Sequence, residues 1–217
     1  MRDSLRALPS LEGPFPAFDI GSAPDDPLAL FTEWLDTAIK TGISEAHSLT
    51  LSTVDKDGRP DARVVILKDI DQDGWHFATM RTAPKGRQIY TNSNVALTFY
   101  WQALGRQVRI RGVALDVGAA ARNADFRARS FEARSRGMVG RQSEVLESEQ
   151  ELLDSVAERT RALTENPDEV PANWAVYVVH GSEIEFWQAN ASRLHTRLRY
   201  RRDREGRGGW LRERLWP

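Results

Sequence analysis

Apolar residues along the chain change period several times, and each change marks an element. After Asp26-Pro27, an N-cap followed by proline at the first helical position, Leu28, Phe31, Leu35, Ala38 and Ile39 recur at helical spacing. This predicts an amphipathic helix ending near Thr41. From Ser48 to Val54 the pattern becomes alternation (Leu49, Leu51, Thr53), and Asp57-Gly58 supplies a residue tolerant of positive φ where a hairpin reverses. The return strand is Ala62–Lys68. A second turn, Asp71-Gln72-Asp73-Gly74, leads into Trp75–Met80. Connections this short require antiparallel pairing, because parallel strands need long crossovers.

A short helix over Lys85–Asn92 precedes two further β-rich runs, Val95–Trp101 and Gln107–Leu115. Gly118–Arg136 and Glu147–Leu163 read as two helical segments, forming an insertion at about 118–165 outside a barrel. Trp174–His180, Ile184–Gln188 and Trp210–Leu215 return to strand character. The predicted architecture is mainly β with peripheral helices, arranged as an arm over residues 1–26 and one domain over 27–217. Pro9, Gly13, Pro14, Pro16, Gly21 and Pro24 punctuate the arm, so no helix is expected in it.

Composition narrows the chemistry. With 217 residues, 41% of them hydrophobic, the chain can close one sizeable core. Thirty Lys and Arg balance 31 Asp and Glu, so the net field gives no argument for nucleic acid and any anion must be bound by local clusters. There is no cysteine, which removes disulfides, thiolate ligands and a catalytic thiol. The N-terminal residues carry no apolar run long enough for a signal peptide or membrane span, which reads as a soluble, cytoplasmic protein. His47, His76, His180 and His195 lack metal-ligand spacing, and the dinucleotide-binding, P-loop and serine-hydrolase glycine motifs are absent.

What remains is a set of cations embedded in β-rich text. In Arg63-Val64-Val65-Ile66-Leu67-Lys68, alternation sends 63, 65 and 67 to one face and 64, 66 and 68 to the other. The two cations can meet two anionic groups or snorkel into solvent. Lys85, at the start of a short helix, stands where phosphate is favoured, though a surface lysine would look the same. Gln107, just inside its strand, offers a donor and an acceptor to a planar heterocycle, or is simply half exposed. Arg141-Gln142-Ser143 offers a cation, an amide and a hydroxyl, or an ordinary helix cap at Ser143. Trp187 presents a flat face. Alternation puts Arg193, His195 and Arg197 on one side of an extended segment, suited to a phosphorylated or acidic aromatic ligand.

Taken in order, RVVILK (63–68), RQV (106–108), RQS (141–143), EFW (185–187), RLHTR (193–197) and the closing RLWP (214–217) make the chain resemble the pyridoxamine 5′-phosphate oxidase family from about Asp26 to Pro217. The resemblance implies an FMN-binding split β-barrel, antiparallel and Greek-key-like. It also implies a homodimer whose active sites are each built from both subunits. FMN contacts would come from Arg63, Val64, Lys68, Thr79, Lys85, Gln107, Trp187 and Arg197, with Gln142 and Ser143 reaching across the interface. Substrate contacts would come from Lys68, Arg129, Arg193 and His195, the last two orienting the reacting ring. The implied reaction oxidises pyridoxamine or pyridoxine 5′-phosphate to pyridoxal 5′-phosphate, with molecular oxygen as acceptor and hydrogen peroxide released.

Three departures from the family pattern stand out. Ala83-Pro84-Lys85 replaces Ser-Arg-Lys, which removes one cationic phosphate contact and leaves Arg81 or Arg87 as candidate substitutes. Asp125 and Ala133 stand where Tyr and Ser are common at the substrate phosphate, and an acid there would repel a dianion. The Pro27–Phe31 opening and Lys85-Gly86 also resemble a second branch of the family, which oxidises a reduced tricyclic acid in phenazine biosynthesis. A non-catalytic flavin- or haem-binding module is a third reading, with His195 the candidate haem ligand.

Overall fold

The computed structural model describes residues 1–203 and 209–217. Eight strands, β1 (Ser48–Val54), β2 (Pro60–Asp71), β3 (Gly74–Met80), β4 (Asn94–Trp101), β5 (Arg106–Asp116), β6 (Trp174–Gln188), β7 (Thr196–Arg202) and β8 (Trp210–Arg214), form one sheet. Their order is β3-β2-β1-β4-β5-β6-β7-β8, and β3 pairs again with β6. The first six strands therefore close into a barrel and β7–β8 extend from it. The ladders at β3 are antiparallel on both sides. The fold is mainly β, as the alternating stretches predict.

Both predicted hairpin turns form for the expected reason. Asp55 accepts hydrogen bonds from the backbone N–H groups of Asp57 and Arg59, and Gly58 takes φ +80°. Asp71 does the same for Asp73 and Gly74. Along β2, Leu67 pairs with Phe77 but Asp69 with His76, so Lys68 is the extra residue of a bulge, a device that re-aims a side chain.

The chain divides into two compact units. The first (Met1–Leu51, Ala96–Gly112, Gly181–Pro217) contains α1 (Arg2–Arg6) and α2 (Pro27–Lys40). The buried face of α2 meets the aromatics of its unit. Phe31 packs edge-on to Phe99 at 4.8 Å, and Trp34 edge-on to Phe186 at 5.2 Å. The second unit (Ser52–Val95, Val113–His180) carries α3 (Pro84–Thr91), α4 (Ala119–Arg127), α5 (Phe131–Met138) and α6 (Glu149–Glu165). Phe126, Met138 and Leu163, one from each of the last three helices, cluster with Met80 and Trp174.

Several expectations need correction. The arm does hold a helix, because Arg2–Arg6 lies ahead of its first proline. The helical insertion has three helices, since α4 ends at Arg127 and Ser130 caps a new one by accepting from the N–H of Ala133. Ser148, not Ser143, caps the helix that follows, and Ser143 takes φ +72°. The stretches Trp174–His180 and Ile184–Gln188 are one continuous strand. The segment before Thr196 is not extended: Arg193 has φ +63°, so Arg193, His195 and Arg197 do not share a strand face.

Candidate functional site

In the second unit, the outward residues of β2 (Val64, Ile66, Lys68) and the end of β3 (Ala78, Thr79) line a cavity of about 790 Å³. Lys85, Arg129, Gln142 and Trp174 complete its polar wall, and Val139, Leu152, Leu153 and Val156 make it apolar elsewhere. The alternation read from RVVILK holds: Val65 and Leu67 are buried, while Val64 is exposed.

Two groups of cations lie at this space, Lys85 with Arg63 near it and Lys68 with Arg129. Arg63 donates to Thr53 Oγ1 at 2.6 Å and to Gln88 Oε1 at 3.2 Å, and pairs with Asp61. Lys85 donates to Gln142 Oε1 at 3.0 Å and, among the described residues, has no carboxylate within ion-pairing distance. Burial first, then the charge of Arg63, hold the Lys85 ammonium below its ordinary pKa of 10.5, with Asp61 opposing them. Lys85 is near the first turn of α3, whose Gly86 sits so close to the carbonyl groups of Met80 and Arg81 that no side chain fits. The Thr79 hydroxyl, on the same wall, is buried without a hydrogen-bond partner. Neither suggested substitute for the missing cation is free. Arg81 binds Asp116 and the carbonyl of Ala172, and Arg87 binds the carbonyl of Thr82.

The second group centres on an acid. Lys68 Nζ lies 3.2 Å from Asp125 Oδ1, while Trp174 Nε1 donates to Asp125 Oδ2 at 2.8 Å. The Arg129 guanidinium stacks 4.6 Å from the Trp174 ring and donates to the carbonyl of Ala133 at 3.2 Å. Its Nε is buried without a partner. Burial lowers the Arg129 pKa, an effect that Asp125 opposes.

The remaining candidates belong to the first unit. Gln107 and Trp187 line a second cavity of about 730 Å³ together with arm residues Pro9–Glu12 and Phe15. His195 packs on Trp187 at 4.8 Å, and its Nδ1 accepts the backbone N–H of Asn190 at 3.1 Å. Arg193 reaches Ser10 Oγ at 3.3 Å. Arg197 donates to Glu185 Oε1 at 2.8 Å and to the Trp216 carbonyl at 2.9 Å. Thus the candidates fall into two groups, one per unit. Val64, Lys68, Thr79, Lys85, Arg129 and Gln142 share one cavity, and Gln107 and Trp187 share the other. Ser143 follows Gln142 on the surface.

Glu185 is the residue that sequence reasoning left without a role. It is 4% exposed and binds both Arg109 and Arg197. The available signal was an acid inside the apolar string Ile184-Glu185-Phe186-Trp187, since a buried carboxylate needs cationic partners.

Comparison with known proteins identifies relatives over nearly the whole chain. A family profile described as pyridoxamine 5′-phosphate oxidase matches residues 35–167, and one described as the pyridoxine 5′-phosphate oxidase C-terminal dimerisation region matches 174–217. The pyridoxine/pyridoxamine 5′-phosphate oxidase of Pseudomonas paraeruginosa PA7 is 40% identical over 198 residues, covering 90% of this chain and 91% of that protein. A Ralstonia nicotianae protein named pyridoxine/pyridoxamine 5′-phosphate oxidase 1 is 37% identical and covers 93% of each chain. Among solved structures, PhzG from Burkholderia lata 383, in complex with tetrahydrophenazine-1-carboxylic acid, superposes with a TM-score of 0.87 at 30% identity. It covers 94% of this chain and 100% of that one. A pyridoxamine 5′-phosphate oxidase-related, FMN binding protein from Nostoc punctiforme PCC 73102 shares the fold, with a TM-score of 0.71 at 17% identity over 88% of this chain and 98% of that one.

Proposed function

The chain belongs to the pyridoxamine 5′-phosphate oxidase family and is an FMN-dependent oxidoreductase, and on that premise we propose that it oxidises a small aromatic substrate carrying an acidic group, working as a homodimer. The names of its sequence relatives support pyridoxine or pyridoxamine 5′-phosphate as substrate, yielding pyridoxal 5′-phosphate. Bound FMN would supply a two-electron acceptor that molecular oxygen regenerates with release of hydrogen peroxide.

The observation that carries the flavin assignment is the cation pair Arg63 and Lys85. Lys85 is desolvated near Arg63, an effect that Asp61 only partly offsets, and its ammonium bonds the neutral Gln142 amide, an arrangement that an anion relieves. The unpartnered Thr79 hydroxyl in the same wall fits a polar ligand, and the free N–H groups of the first turn of α3 add donors for phosphate. In this reading Arg63 and Lys85 hold the FMN phosphate, while Val64, Lys68 and Thr79 flank the cofactor. Gln107, Trp187 and Arg197 contact the flavin. Gln142, which accepts from Lys85 of the same chain, and Ser143 beside it border the phosphate end, and the matched C-terminal dimerisation region supports a homodimer.

On the substrate side, Lys68 and Arg129 would meet the acidic group, and Arg193 and His195 would orient the ring. Because His195 Nδ1 accepts a backbone N–H, the neutral ring carries its proton on Nε2, a donor for a substrate oxygen. The apolar residues of the larger cavity, Val139, Leu152, Leu153 and Val156, would lie against a bound ring and limit its contact with water.

A second reading, oxidation of a reduced tricyclic or other specialised-metabolite acid, is favoured by one specific observation: Asp125 already occupies Lys68. Anaerobic mixing of FMN-loaded protein with each substrate class separates the readings. Bleaching of the flavin by either B6 phosphate supports the first, and bleaching only by a dihydro- or tetrahydrophenazine carboxylate supports the second. A flavin that stays oxidised with both classes refutes oxidation of either.

A further inference from the structure

We infer that Asp125 is the specificity residue for the substrate's acidic end, setting that end of the site for a singly charged carboxylate on an aromatic ring and against a phosphate dianion. The inference rests on reading the larger cavity as the substrate's site and, of the two substrate readings above, sides with the second, the carboxylate.

Asp125 cannot be treated as a bystander that swings away when an anion arrives. Lys68 binds one of its oxygens at 3.2 Å and Trp174 Nε1 donates to the other at 2.8 Å. Trp174 is itself fixed, packing edge-on to the buried ring of Phe126 at 5.5 Å. Both oxygens are held from the protein side, and the Asp125 side chain is 15% exposed, so bulk water screens it poorly. An incoming phosphate must either take Lys68 away from this acid or sit beside it, and both raise its free energy.

With Lys68 neutralised by Asp125, the charge left over is that of Arg129. Its Nη2 is engaged by the Ala133 carbonyl, but its Nε is buried without an acceptor, and burial of an unused donor on a guanidinium is costly. The three groups together carry one positive charge, which a carboxylate balances and a dianion overshoots. The other cations on the cavity do not restore it. Arg141 is held by Glu144 and Glu151, Arg136 is exposed, and Lys85 is the ligand assigned above to the cofactor phosphate. The nearby walls formed by Val139, Leu152 and Val156 suit a ring system.

The test compares equilibrium binding of two unreactive probes to the FMN-loaded protein at pH 8, where a phosphate monoester is a dianion: phenazine-1-carboxylate and 4-deoxypyridoxine 5′-phosphate. The wild type is expected to bind the carboxylate at least about tenfold more tightly, the scale of one charge-assisted contact. D125N should raise affinity for the phosphate by about tenfold and change the carboxylate by under about threefold. D125S, which removes the same charge with less bulk, should shift the ratio in the same direction, so a folding defect in one variant does not obscure the result. R129A should weaken both probes. If the wild type prefers the phosphate, or if neither Asp125 variant moves the ratio while R129A weakens both probes, the inference is overturned and the cavity remains the substrate site. If R129A leaves both affinities unchanged, the reading of the cavity falls and the inference with it.

Discussion

At the scale of single residues, the account turns on which charges are already satisfied. Lys85 is not, and its depressed pKa gives a signed expectation. Between that depressed value and 10.5 the unfolded chain holds more protons than the folded one, so stability of the flavin-free protein rises with pH across this window as far as Lys85 contributes. FMN affinity should move oppositely, because the ammonium that attracts the phosphate is lost over the same window. A fluorescence titration of FMN from pH 7 to 10 should therefore show weakening affinity, and K85M should bind weakly at every pH with a flattened profile. Arg197 and Arg193 should separate by readout. R197A should lose about one to two decades of FMN affinity, whereas R193A should retain FMN and lose turnover. E185Q should behave as a weaker R197A, because Glu185 holds the Arg197 guanidinium in place. Equal FMN losses in R193A and R197A would contradict this division. The faces of RVVILK could be read in the sequence because alternation is local. The engagement of Lys68 by Asp125 could not, since it joins residues 68 and 125 through space. Arg193 was misplaced for a different reason: the turn at residues 191–193 breaks an alternation that residue types alone left intact.

At the scale of elements, boundaries marked by side-chain chemistry were the legible ones. Asp26 caps α2 by accepting the N–H of Leu28 at 3.0 Å, and Pro27 needs no donor there. D26A should cost about 1 kcal/mol in urea unfolding at unchanged m-value. An effect near zero would mean that tertiary packing alone sets the helix start. Gly181-Ser182 looks like a strand break in sequence, yet β6 runs through it. Ser182 Oγ donates to the Arg111 carbonyl at 3.1 Å, and Glu183 already pairs with Arg201 of β7. Polar residues that end an isolated strand can be tied into a sheet by neighbours distant in sequence. The helices after β5 number three where the sequence reads as two, because the Ser130 cap lies within a stretch whose alanine and arginine content reads as continuous helix.

At the scale of the whole molecule, the antiparallel character followed from short connections, but the closure did not. The β3–β6 ladder joins Trp75 to Val179 and Met80 to Trp174, pairings about a hundred residues apart that no local pattern encodes. The division of the candidate residues between two compact units was equally invisible in sequence. Light scattering on the FMN-loaded protein should give twice the mass of one chain, and a strictly monomeric holoprotein would contradict the homodimer. The central claim, that Arg63 and Lys85 grip the flavin by its phosphate, is tested most directly by titrating the flavin-free protein with FMN and with riboflavin under the same conditions. Two charge-assisted contacts predict that FMN binds at least about a hundredfold more tightly, with the gap collapsing in the R63A/K85A double variant. Equal affinity for the two flavins, or binding of neither, would contradict it.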